Sequence, residues 1–308
     1  MAGLREISGR IRSVRDTMKI TNAMYMISST KLRKAKSDAE LNNPYFEAMH
    51  EMLVSITHSA DHLKHKYTDK RPEKKGAERT HAVIVITADK GLCGSYNHNV
   101  VKLTDETFLN RDFKTVLYVV GEAGRQYYAS RKVHLEGQFK YTAQNPTLHR
   151  ARLICDKMID DFLSGRVDDV SIVFTGMKDQ LSSEARVMHL LPIVPDEIDG
   201  RSHIPESYDD DLNFSPSASV VMDIIVPDVL TGYIYSALVD SYCSEQNDRM
   251  LAMDSADRNA GEMIRNLSVQ YNRERQAMIT QEIIEVASGA KAQKKAKARR
   301  VTTNEEHN

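Results

Sequence analysis

Cysteine is scarce in this chain, and what there is lies scattered. Cys93, Cys155 and Cys243 form no CxxC pair and join no histidine grouping at metal-ligand spacing. That excludes a disulfide framework and a structural zinc site, and fits thiols kept as small buried apolar groups in a reducing cytoplasm. Long apolar runs are missing too: none approaches the roughly 18 residues that a membrane-spanning helix needs. The N-terminus, Met-Ala-Gly-Leu-Arg-Glu-Ile, has neither the apolar core of a signal peptide nor an Arg- and Ser-rich transit stretch. A net charge of −1 argues against a dedicated nucleic-acid binder. Proline is absent from both ends, since all 8 lie between Pro44 and Pro227. The residue that most strongly breaks helices is thus confined to the middle. No internal repeat is present.

Charge is plentiful but segregated. Arg5, Arg10, Arg12, Arg15, Lys19, Lys31, Arg33, Lys34 and Lys36 face only Glu6 and Asp16 over residues 1–36. Residues 196–211 are acidic, and Lys291 to Arg300 is basic throughout.

Residues 1–43 carry apolar or small side chains at Leu4, Ile7, Ile11, Val14, Met18, Thr21, Tyr25, Ser28, Leu32 and Ala35. The spacing alternates three and four without a slip, which predicts the seam of a coiled coil. Ile20, Met24 and Ile27 make a second stripe, and a helix apolar on two sides needs two neighbours or a sleeve. A second helix is predicted from Pro227, a good first-turn residue, to Ala290. At ~60 residues it would be a rod of roughly 90 Å, too long to stand without a helical partner. Ala252, Ala256 and Ala260, followed by Ile264 and Leu267, offer a close-packing face, while Gly232 and Gly261 each weaken the helix by about 1 kcal/mol.

Between the helices the period changes. His81–Asp89, Thr115–Val120 and Val170–Thr175 are short β-branched runs separated by amphipathic patterns near 96–109 and 147–163. Strands alternating with helices predict an α/β unit with a mainly parallel sheet. Arg71–Arg79 reads as a linker into it and Pro195–Pro216 as an acidic loop out of it. The expected fold class is therefore α/β plus a long antiparallel coiled coil, with a Rossmann-like domain inserted between the terminal helices. The segments are 1–70 (first helix and start of linker), 71–216 (α/β domain with its exit loop), 217–290 (second helix) and 291–308 (basic tail).

Three segments carry a family resemblance: Arg10–Ile27 followed by Lys31–Ala35, Ile86–Asn97 (ITADKGLCGSYN), and Tyr271–Ala290 (YNRERQAMITQEIIEVASGA). In this order they resemble the gamma subunits of bacterial F-type ATP synthases. Ile279, Thr280, Glu282, Glu285, Gly289 and Ala290 match that family's signature. The resemblance implies a central rotor shaft inside a ring of alpha and beta subunits, its foot holding the epsilon subunit and the c-ring. Rotation would couple ion flow to ATP synthesis or hydrolysis. It implies a peripheral place on the cytoplasmic face of the cell membrane, with membrane contact only through the membrane sector. No nucleic acid, cofactor, metal or catalytic residue is implied.

The basic residues Arg10, Arg12, Arg15, Lys19, Lys31 and Arg33 would ordinarily be a solvated face. The resemblance implies that they meet acidic stator loops of the beta subunits. Arg275 and Gln276 match positions that reach a beta-subunit loop, and Met24 matches one near the same region; the plain alternatives are an exposed polar pair and a core methionine. Asp89–Ser95 follows a strand and precedes a helix, where phosphate loops occur, but it has neither GxGxxG nor GxxxxGK[ST] order. Its glycines fit a tight reversal better. A Cys93–His98 nucleophilic pair would lack a third orienting group. His50, His58, His62 and His65 lie in a polar setting and read as solvated rather than metal-binding. Two further readings stay open: a nucleotide-binding α/β enzyme with helical arms, and a coiled-coil scaffold.

The stretch after Ala290 departs from the family, which stops near there. A tail with Lys291, Lys294, Lys295, Lys297, Arg299 and Arg300 is expected to reach solvent, frayed or helical, because burying unpaired charge is costly. Asn247 and Asp248 stand where the family has small residues.

Overall fold

The computed structural model describes residues 2–59, 65–71, 73–74, 76–131, 133–136, 139–178, 182–194 and 214–305. Side chains at 2, 39, 42–43, 58–59 and 296–305 are outside that description, as are His62 and most of the acidic loop.

The chain divides into two compact units: Met1–Met24 with Met253–Asn308, and Tyr25–Ala252. Helix α1, Ala2–Ser59, runs through both. It passes Pro44 and ends within the 1–70 segment expected for the first helix and the start of the linker. Proline removes one helical N–H, whose acceptor would be the carbonyl of Glu40, on an exposed stretch where water can replace it. Beyond it, Phe46, Met49, Leu53, Val54 and Ile56 pack into the core and hold the helix on course.

The larger unit has a 4-stranded sheet of β1 (Thr80–Ile86), β2 (Lys114–Val120), β3 (Asp169–Met177) and β4 (Ser183–Leu191) in the order β2-β1-β3-β4. β1 runs parallel to β2 and β3, whereas β4 is antiparallel to β3. The continuous β-branched runs follow from burial on both faces. Ala82, Ile84 and Ile86 pack with α4 (Leu148–Leu163) and α5, which begins at Ala218. Val83 and Val85 pack on the opposite side with α2 (Tyr96–Thr104) and Tyr128 of α3 (Glu122–Ala129). A π-helical turn, Asp105–Leu109, extends α2.

β4 was not foreseen. Its sequence, SEARVMHLL, puts Glu184 and Arg186 on an exposed edge, so it shows no clean apolar alternation. Charges on an edge strand discourage pairing with another chain. The linker is pinned rather than loose. Arg79 makes a forked pair with Asp169 at 2.8 and 2.9 Å, and Arg71 and Lys74 each reach Asp168 at 2.8 Å.

Helix α5 is Ala218–Glu305, starting before Pro227 and continuing past Ala290. Pro227 sits inside it, and its carbonyl accepts from the Thr231 hydroxyl at 2.7 Å. The helix contains an 18-residue window of mean hydropathy 1.4, long and apolar enough to cross a membrane; half of that window is buried. Met222, Ile225, Val226, Val229, Leu230, Ile234 and Leu238 spend that apolar surface on the core. α1 and α5 run antiparallel within this unit: the Phe46 ring lies tilted against Tyr235 at 5.9 Å, while Lys36 lies near Cys243. Gly232 is required by their close approach, because a Cβ there would lie 2.3 Å from the Phe46 ring.

Candidate functional site

In the smaller unit α1 and α5 pair side by side. Leu4, Ile7, Ile11, Val14, Met18 and Thr21 are all half-buried, and the residues between them are exposed. The α5 side supplies Met253 and Leu267, both buried, with Ala256, Ala260, Ile264 and Tyr271 half-buried. The Thr21 hydroxyl donates to Asp257 at 3.4 Å, a polar link in an otherwise apolar seam. Farther along α1, in the larger unit, Ser28 and Ala35 are buried and Tyr25 and Leu32 half-buried, so the seven-residue pattern holds through both segments.

The second stripe behaves differently. Met24 is half-buried, but Ile20 is 61% exposed and Ile27 55%, so α5 does not cover them. Arg10, Arg12, Arg15, Lys19, Lys31 and Arg33 are exposed as well. Lys19 pairs with Asp16 at 3.0 Å. Such an exposed pair contributes only about 0–1 kcal/mol and is easily exchanged for another partner.

Arg275 and Gln276 are exposed on α5, and the carbonyl of Gln276 accepts from the Thr280 hydroxyl at 2.9 Å. Ile279, Thr280, Glu282, Glu285, Gly289 and Ala290 are exposed too. Glu285 accepts from Gln281 at 3.2 Å. Ile283, Ile284 and Val286 stand open beside them at 63%, 58% and 74%.

The other candidate chemistries are not assembled. Cys93 is buried and bonds Lys90 O and Asn97 Nδ2, whereas His98 is exposed. Burial pushes the Cys93 thiol up, Cys155 to about 12 and Cys243 to about 11, so none is a ready thiolate. His50 Nδ1 lies 2.5 Å from the Tyr233 hydroxyl, and His65 Nε2 lies 3.1 Å from Asp223. These two histidines are structural. Among the described residues no group of three or more His, Cys, Asp or Glu could hold a metal.

Sequence reasoning missed a polar joint where α5 meets the sheet. Glu245, buried, pairs with Arg249 at 2.6 Å, and Arg249 also donates to the carbonyl of Gly91 at 3.1 Å. Burial raises the Glu245 carboxyl, and Arg249 opposes the shift. Asp248 accepts from the Ser183 hydroxyl at 2.8 Å, and Asn247 is buried with its Nδ2 unpaired among the described residues. The i,i+4 spacing of Glu245 and Arg249 was the only signal in the sequence, and it ordinarily marks a surface pair.

The fold defines a class: two long terminal helices with an α/β unit inserted between them in the sequence. A family model described as ATP synthase matches residues 3–293. The chain is 40% identical over 291 residues to the ATP synthase gamma chain of Ruminiclostridium cellulolyticum, covering 94% of this chain and 98% of that one. It is 35% identical to the sodium ion specific ATP synthase gamma chain of Acetobacterium woodii, covering 94% and 98%. Among solved structures, a chain of the Euglena gracilis mitochondrial ATP synthase (OSCP/F1/c-ring, rotational state 3) shares the fold, with a TM-score of 0.64, 16% identity and 94% of each chain covered. This chain belongs to the ATP synthase gamma family, a family of non-catalytic subunits.

Proposed function

We propose that this chain is the central rotor shaft of an F-type ATP synthase, coupling ion flow through a membrane sector to ATP synthesis or hydrolysis by rotation. The observation that carries this is the pairing of the two chain ends into one hairpin whose outer faces remain uncovered. On this reading the alpha and beta subunits surround the shaft, and the α/β domain within 71–216 is the foot that binds the epsilon subunit and the c-ring. The segment 217–290 is the second shaft helix, and 291–308 is a solvent-reaching tail. The protein is peripheral, on the cytoplasmic face of the cell membrane, and performs no chemistry itself.

Arg10, Arg12, Arg15, Lys19, Lys31 and Arg33 form a basic collar that meets acidic stator loops. Arg275 and Gln276, with Met24 nearby, reach a beta-subunit loop through long directional donors. Ile279, Thr280, Glu282, Glu285, Gly289 and Ala290 lie in the upper bearing. Weak exposed contacts suit a part whose bonds form and release at each step.

The test is reconstitution with alpha and beta subunits and a bead on the foot. All three native cysteines are buried, so a Ser130→Cys variant supplies an exposed attachment point. ATP-driven turning is expected, and a complex that hydrolyses ATP with a stationary bead contradicts the reading. Reversing Arg10, Arg12 and Arg15 to Glu together should lower the measured torque; unchanged torque removes the collar.

A further inference from the structure

Open α/β sheets take ligands beyond the carboxyl ends of their strands, where the strand order switches. Here that point lies beyond β1 and β3, since β2 is on one side of β1 and β3 on the other. The chain's own side chains fill it. From α5, Arg249 reaches the carbonyls of Lys90 at 3.4 Å and Gly91 at 3.1 Å, while Glu245, one turn earlier, holds the same guanidinium at 2.6 Å. The loop it grips begins at Asp89. That carboxylate accepts from the backbone N–H of Glu122 at 3.1 Å, Ala143 at 3.1 Å and Gln144 at 3.3 Å, and from the Thr142 hydroxyl. Asp89 thus ties the start of α3 and the 142–144 segment to the loop, in the position an anionic ligand takes in other such sheets.

The same face of α5 is fixed on its other flank. Ser241 Oγ accepts from the Thr175 N–H at 3.2 Å, and Ser244 donates to the Thr175 carbonyl at 3.3 Å. Asp248 takes the Ser183 hydroxyl of β4. Apolar burial is a non-directional driving force. Hydrogen bonds with a defined angle on both flanks add a preferred rotational setting of the helix.

We propose that the crevice at the carboxyl end of the sheet, closed by Arg249 and Asp89, is the torsional joint that locks α5 to the α/β unit. The mechanical meaning rests on the rotor reading, but the joint itself rests on geometry within one compact unit.

Two variants test it. Arg249→Lys keeps a cation beside the buried Glu245 but loses the planar fork needed to hold Glu245 and the loop together. The double variant Glu245→Gln/Arg249→Gln removes both charges without stranding either. In the full-length chain, amide hydrogen exchange at residues 89–97 should speed up roughly tenfold, as expected when one charge-assisted hydrogen bond is lost. In the reconstituted complex, the bead's angular distribution at each dwell should widen. Unchanged exchange in both variants overturns the joint, and faster exchange with an unchanged angular distribution overturns its torsional role. If the unaltered complex never turns, the rotor reading falls, while the exchange result still decides the joint.

Discussion

Asp168 is only 1% exposed, yet it keeps its charge. Burial alone would raise its carboxyl, but hydrogen bonds from Lys74, Arg71 and the Thr80 N–H outweigh burial and hold it at about 2. The folded value lies below the unfolded one of about 3.9. The stabilisation is therefore present above about pH 4 and is lost as pH falls through about 2. Asp168→Asn should reduce stability by about 2 kcal/mol at neutral pH and flatten the acid limb of the pH–stability curve. Denaturant titrations at several pH values check both. An unchanged acid limb would mean that the linker is pinned by something else.

At the scale of elements, the two interior glycines of α5 make opposite predictions that helix propensity alone would not separate. Gly232→Ala drives a methyl into the Phe46 ring and should cost about 1–3 kcal/mol through overpacking. Gly261→Ala meets nothing within 4 Å and should stabilise by about 0.4–1 kcal/mol, by restricting the unfolded chain. Melting both variants against the parent chain is enough; equal shifts would show that the close approach at Phe46 is absent. The coiled-coil seam was legible because its period is local and every position from Leu4 to Ala35 keeps it. The parallel strands were legible because burial on both faces leaves an unbroken β-branched run. β4 was hidden by its own edge charges, and the passage of α1 through Pro44 by packing that sequence-local rules do not contain. The basic face was visible in the sequence, but the Arg249 joint was not, since it links residues 159 positions apart.

For the whole molecule, α5 continues as helix to Glu305, with Lys291, Lys294 and Lys295 exposed. Deleting everything after Ala292 should leave assembly with alpha and beta subunits intact, as checked by co-purification and gel filtration. Loss of assembly would mean that the tail is held by a partner. The smaller unit is built from residues 1–24 and 253–308, which are synthesised with residues 25–252 between them. A ribosome working at roughly 5–20 residues per second needs on the order of 10–50 s to bridge that gap. Throughout that interval the seam from Leu4 to Thr21 has no mate, leaving a sticky amphipathic nascent segment for a chaperone to shield until residues 253–271 have emerged.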